Sequence, residues 1–145
     1  MCIRDRSKGA RLCSAGDANG ALMPAQMLDG VTSSMKVYSE ESFGPVVAVI
    51  RARDEEDAIR LANDSEYGLS AAVFTKDAAR GLRVARRIRS GICHVNGPTV
   101  HDEAQMPFGG VGASGHGRFG GKAGIAEFTE LRWITVETRP GYFPI

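Results

Sequence analysis

Several groups of side chains in this sequence have the types and spacing that chemistry requires. Cys93 stands beside His94, as a thiol nucleophile and its general base would. His101, Asp102 and Glu103 are three consecutive side chains able to ligate a metal. Of the 18 glycines, eight fall between Gly109 and Gly124. They include two matches to G-x-G-x-x-G, Gly110 to Gly115 and Gly115 to Gly120, the spacing that cradles a dinucleotide pyrophosphate. Glu40 and Glu41 lead through Ser42 into Phe43-Gly44-Pro45, which places carboxylates and a ring at a tight turn. Arg80, Arg83 and Arg87 recur at helical spacing, as a phosphate-binding stripe would.

Spacing weighs against most of these. Neighbours in a strand point to opposite faces, so His94 does not reach the Cys93 sulfur by strand geometry. Ile92 and Val95 flank the pair, and Cys93 reads as a core thiol. Three adjacent residues lack the face-sharing spacing of metal sites, so no metal is expected at His101 to Glu103. A dinucleotide fingerprint needs a strand before it and a helix after it. The preceding Asp102 to Pro107 is polar and interrupted by proline. The glycines therefore read as a segment that turns repeatedly against a packed surface. The arginine stripe reads as the solvated face of an amphipathic helix, and Asn63-Asp64-Ser65 reads as a helix end. Taken alone, Glu40 to Pro45 is a polar turn with one packed ring, set at the entrance of a strand.

The elements that must hold these residues alternate. Lys8 to Leu12 is a short strand, and Ser14 to Asp29 reads as loop. Val46 to Ile50, entered through Gly44-Pro45, is a β-branched run of the kind buried on both faces of a parallel sheet. Asp54 is an N-cap, followed by acidic residues in the first turn of a helix running to Asn63. Leu69 to Thr75 is the next strand. Ala78, Leu82 and Ala85 share one face of the following helix, which Gly91 stops. Ile92 to Asn96 is the next strand. Strands alternating with helices predict an α/β fold with a mostly parallel sheet. Residues 97 to 121 carry no period, Lys122 to Glu130 reads as a helix, and Leu131 to Val136 reads as a strand whose neighbours belong to another chain.

The chain as a whole excludes several classes. Its 145 residues are one domain in size, and its net charge is +1, too small a field to recruit nucleic acid or an anionic membrane. No apolar run is long enough to span a bilayer. The first six residues carry charges and no apolar core of a secretory signal, so a cytoplasmic location is expected. Three cysteines, an odd number without C-x-x-C spacing, read as reduced thiols.

Several segments together resemble one family, the NAD(P)-dependent aldehyde dehydrogenases. They are Glu40-Glu41-Ser42-Phe43-Gly44-Pro45-Val46, Ala62 to Leu69 with Ala72-Val73-Phe74-Thr75, and Pro107-Phe108-Gly109-Gly110 followed by Ser114-Gly115 and Gly117-Arg118. Gly91 to Met106 is most similar to the members acting on aromatic aldehydes. The resemblance implies a part of the α/β catalytic domain over residues 7–127, with an oligomerisation strand and tail over 128–145 and unmatched, disordered residues 1–6. It implies oxidation of a small aldehyde to the acid through a thioester, with NAD or NADP, NAD being favoured, and a homo-oligomer. Glu41 would accept the hydroxyls of the nicotinamide ribose and Phe43 would pack near the nicotinamide. Thr99, Val100, His101 and Phe108 would border the substrate pocket. No catalytic residue is expected in this chain: the family's nucleophilic cysteine, general-base glutamate and oxyanion asparagine lie upstream of the matched segments. Gly112 stands where many members carry lysine. Two alternatives are a non-catalytic assembly or regulatory module pairing through Leu131 to Val136, and a thiol enzyme using Cys93.

Overall fold

The β-branched run Val46–Val49 forms a strand, and the run Glu55–Asn63, capped by Asp54, forms a helix. The computed structural model describes residues 2–14, 16, 17 and 19–142. The chain forms two compact units, one of Met1–Ser65 with Arg86–Arg89 and the other of Glu66–Ala85 with Ser90–Ile145.

In the first unit, β1 (Arg11–Ser14), β2 (Gln26–Asp29) and β3 (Val46–Val49) form a sheet in that order. β1 pairs antiparallel with β2, and β2 pairs parallel with β3. Leu28 is fully buried between Leu12 and Ala48, its register partners. Ala10, Val31 and Met35 complete the core. β2 lies in the stretch expected to be loop, yet it is the middle strand. β3, expected to be central and buried on both faces, has β2 as its one sheet neighbour here, and Val47 is exposed. Alternation explains it: Val46 and Ala48 turn to the core while Val47 and Met27 share the open face.

α1 (Cys2–Ser7) is a helix, where residues 1–6 were expected to lack order. The carboxylate of the buried Asp5 takes the amide of Lys36, 3.0 Å away, at the start of α2 (Lys36–Ser39). Met1 lies outside the described residues. α3 (Glu55–Asn63) begins as read: Asp54 accepts the amide of Asp57 at 2.8 Å, and Glu55, Glu56 and Asp57 occupy the first turn. Asn63 closes the helix by accepting the amide of Arg89 at 2.7 Å and donating to the carbonyl of Arg87 at 2.9 Å. Arg87 also forks onto the Glu56 carboxylate, so this member of the arginine stripe is an ion pair.

In the second unit, β4 (Ser70–Val73) and β5 (Ile92–Val95) pair in parallel, with α4 (Ala78–Ala85) packed on them. The single sheet expected across residues 46–96 is thus two separate ladders, although the parallel pairing of an α/β fold is present in both. α4 buries Gly81, not the Ala78 and Leu82 face the wheel suggested, and Leu82 is exposed. α5 (Gly121–Glu127) follows the glycine-rich segment. Leu131 to Val136, read as a strand, joins no ladder among the described residues, and Leu131, Trp133, Ile134 and Val136 are exposed. Its periodicity is that of a strand, but a strand needs a partner edge. The tail residues 143–145 lie outside the described residues.

Candidate functional site

The loop after β5 builds the site, and each of its ends is fastened to the β4/β5 ladder. Asn96 adopts a left-handed backbone with φ 59°, a conformation asparagine tolerates better than most residues. Its amide donates to the Val73 carbonyl, and its side-chain oxygen accepts the Thr75 amide, both at 2.8 Å. The chain then reverses through Gly97-Pro98, and Ser70 Oγ donates to the Thr99 carbonyl at 2.8 Å.

At the other end, Gly68 is a hub. Its carbonyl accepts the amides of Gly91 and Val111 at 3.0 Å each, and its own amide donates to Ser114 Oγ at 2.9 Å. The Glu66 carbonyl accepts the amide of Ala113 at 2.8 Å. Phe108 and Phe119 exchange two backbone bonds of 2.8 Å. Arg118 Nη1 donates to the carbonyls of Gly110 and Gly117, at 2.8 and 2.6 Å. The Arg118 amide donates to Glu127 Oε1 at 3.1 Å. Within the second unit, the segments at Glu66–Gly68 and at Phe108–Phe119 are therefore joined by hydrogen bonds.

The glycines make this closeness possible. A Cβ on Gly91 would stand 1.7 Å from the Gly109 carbonyl oxygen. Gly120 has φ +86°, and a Cβ there would stand 2.2 Å from the Met106 oxygen. This is the turning segment expected from the residues. Neither G-x-G-x-x-G match has a strand leading into it, and a short 3-10 turn at Gly112–Ser114 occupies the first.

A cavity of about 350 Å³ opens beside the start of β5, lined by Gly91, Ile92, Cys93, His101, Asp102, Glu103, Met106, Pro107 and Phe108. Of the residues expected to border a substrate, His101 and Phe108 line it. Thr99 and Val100 are exposed and lie outside this lining. Glu41 and Phe43, expected at a cofactor, lie on the loop before β3 in the first unit, both exposed. Ile92 and Met106 were not expected at this lining, and Asp102 and Glu103 had been weighed only as metal ligands. The signal for them was their adjacency to Cys93, His101 and Phe108.

Cys93 faces the cavity, and burial pushes its thiol up. A raised thiol stays protonated at neutral pH and is a poor nucleophile. His94, on the next strand position, meets the His101 ring edge-on, with centroids 5.6 Å apart and planes at 86°. Cys93 thus faces the cavity while the His94 ring is packed against His101. Among the described residues, no three His, Cys, Asp or Glu side chains are placed to hold a metal. No helix among them is long and apolar enough to cross a membrane.

Residues 2–134 match the sequence model described as "Aldehyde dehydrogenase family". A vanillin dehydrogenase of Pseudomonas fluorescens is 58% identical over 139 residues, covering 96% of this chain and 29% of that protein. The crystal structure of a salicylaldehyde dehydrogenase from Pseudomonas putida G7, complexed with salicylaldehyde, superposes with TM-score 0.91 at 51% identity, covering 99% of this chain and 30% of that one. That of a Mycobacterium tuberculosis aldehyde dehydrogenase complexed with NAD+ gives TM-score 0.81 at 37% identity, covering 88% and 27%. Neighbours with a bound cofactor carry NAD+ or NADP. The chain therefore spans about 29% of the length of the curated relatives it matches.

Proposed function

The chain belongs to the aldehyde dehydrogenase family, and we propose that it supplies one part of a cytoplasmic enzyme that oxidises an aromatic aldehyde to its acid. The cavity beside β5 carries this reading. Ile92, Met106 and Phe108 form an apolar wall, and a volume of about 350 Å³ is in the range of small-ligand sites. The relatives named for vanillin and salicylaldehyde support an aromatic substrate for this chain.

Glu41 and Phe43 fit a nicotinamide ribose by chemistry and by exposure. A carboxylate oxygen pair accepts two adjacent hydroxyls, Glu41 is exposed, and the Phe43 ring is 96% exposed and available to a flat ligand. Glu41 and Phe43 would hold the nicotinamide end of NAD or NADP, which would supply the hydride acceptor for the oxidation. In this reading the thiolate that carries the acyl group as a thioester, its base and its oxyanion donor come from residues outside these 145. Cys93 is held as a neutral thiol by burial and contributes packing. Leu131 to Val136 pairs with another copy of the chain, a reading supported by its exposed apolar side chains. The same segment favours the alternative of an assembly module without chemistry.

Glu41→Gln, made in the complete enzyme containing this segment, tests the assignment. The expected result is a kcat lower by about tenfold or more, equivalent to about 1.4 kcal/mol of barrier, with the KM for aldehyde changing by less than about threefold. An unchanged kcat removes Glu41 from the cofactor role.

A further inference from the structure

One wall of the cavity beside β5 is held from outside the cavity. Phe108, which lines it, meets Phe119 through a single pair of backbone bonds of 2.8 Å each. Where the Phe108 backbone stands therefore depends on Phe119, and Phe119 follows a residue fixed at both of its ends. The Arg118 guanidinium donates to the carbonyls of Gly110 and Gly117, and the Arg118 amide donates to Glu127 Oε1 at 3.1 Å. Glu127 is the last residue of α5. Gly117 leaves room for it, since a Cβ there would stand 2.9 Å from Glu127 Oε2 and 3.1 Å from Oε1. The other end of α5 sits on the same rim: a Cβ at Gly121 would run into the Gln105 carbonyl, and one at Gly120 into that of Met106, itself a lining residue. α5 thus spans from the Met106 side of the cavity to the Arg118 amide, and Glu127 makes the second attachment.

We propose that Glu127 is a positioning residue for the substrate pocket: by holding the Arg118 amide to α5 it fixes Phe119, and through it Phe108, against the ring of an aromatic aldehyde. The proposal rests on the aromatic-aldehyde reading above and adds to it a residue outside the cavity lining. A carboxylate suits the task, because hydrogen bonds to an ionised acceptor are the stronger ones. Glu127 is exposed, so water can satisfy the Arg118 amide in its place, but water cannot tie that amide to α5. Without the tie, the Phe108 and Phe119 pair is free to shift. An apolar wall touches the substrate ring alike before and during reaction, so its displacement raises KM and leaves kcat. An aldehyde too short to reach Phe108 does not sense the change.

The test measures kcat and KM of the complete enzyme containing this segment, for benzaldehyde and for acetaldehyde. Glu127→Ala is expected to raise the KM for benzaldehyde by about fivefold, with its kcat and the KM for acetaldehyde changing by less than about twofold. Glu127→Gln retains an acceptor oxygen and should restore the parent's constants. In a Phe108→Ala background, Glu127→Ala should add nothing to the KM for benzaldehyde, because the ring it positions is gone. A KM for benzaldehyde that Glu127→Ala leaves unchanged overturns the proposal, and so does a KM that rises equally for both aldehydes. Effects of Glu127→Ala and Phe108→Ala that multiply overturn it as well. A Glu127→Ala enzyme that fails to fold, beside a Glu127→Gln enzyme that behaves as the parent, overturns it by assigning Glu127 to stability. Oxidation of acetaldehyde but of no aromatic aldehyde overturns the aromatic reading and this proposal together. Oxidation of benzaldehyde with a KM indifferent to Glu127 overturns this proposal alone.

Discussion

Gly91 joins the start of β5 to the segment that forms the cavity wall. Its amide bonds the Gly68 carbonyl at 3.0 Å, and the Gly109 carbonyl sits where its Cβ would be. No rotamer change relieves a clash with backbone. Gly91→Ala should destabilise the fold by about 2–3 kcal/mol, the upper range for overpacking, and shift Phe108 with the loop that carries it. Thermal unfolding measures the first effect, and an unshifted melting temperature would show that the Gly109 carbonyl yields easily. Arg118 plays a comparable part as a fork between two carbonyls. Such residues were legible in the sequence through their motif spacing. Their contacts were not, since the partners Gly68 and Ser114 are 46 positions apart.

Individual elements fold where local signals agree. α3 has an N-cap aspartate, three acids in its first turn and a basic residue in its last. It also holds the buried Asp57, whose carboxylate accepts from Arg53 Nε at 3.1 Å and from Arg60 Nε and Nη2 at 3.0 and 2.8 Å. These donors, Arg53 first, hold the Asp57 carboxyl far below the ordinary carboxylate range. A group whose folded value is depressed stabilises the fold above the ordinary aspartate value, near 4, and loses that contribution as pH falls toward the folded value. Asp57→Asn is expected to lower the melting temperature at pH 7 and to flatten its decline between about pH 4 and pH 2. Parallel wild-type and variant curves in that interval would show that the two arginines do not select the charged form. The strands at Val46, Ser70 and Ile92 and the helices at Glu55 and Ala78 begin within a residue or two of where the pattern puts them. β2 escaped because Gln26-Met27-Leu28-Asp29 has too short a pattern to distinguish it from loop. Its identity comes from pairing with both β1 and β3. The inward face of α4 escaped because hydrophobicity favoured Leu82, while close approach to β5 favours the residue with no side chain, Gly81.

At the scale of the molecule, much apolar surface faces outward. Phe43 in the first unit and Phe128, Leu131, Trp133 and Val136 near the C-terminal end of the second are all well exposed. Hydrogen exchange on the isolated chain should find the amides of Ile92 and Asn96, which bond to Leu69 and Val73, protected. Residues 131–136 should exchange at nearly the rate of an unfolded peptide. Slow exchange throughout 131–136 in a monomeric sample would mean that the segment finds a partner within its own chain. Sequence alone determined the family, the parallel α/β character and the structural use of the clustered glycines. Each of these depends on side-chain type at short range or on ordered motifs. Tertiary structure alone decided that His101 and Phe108 line one cavity while Thr99 and Val100 do not, and that the strands form two ladders. Those outcomes depend on which distant backbone groups meet. Hydrogen bonds such as those gathered at Gly68 join residues whose separation along the chain leaves no local trace.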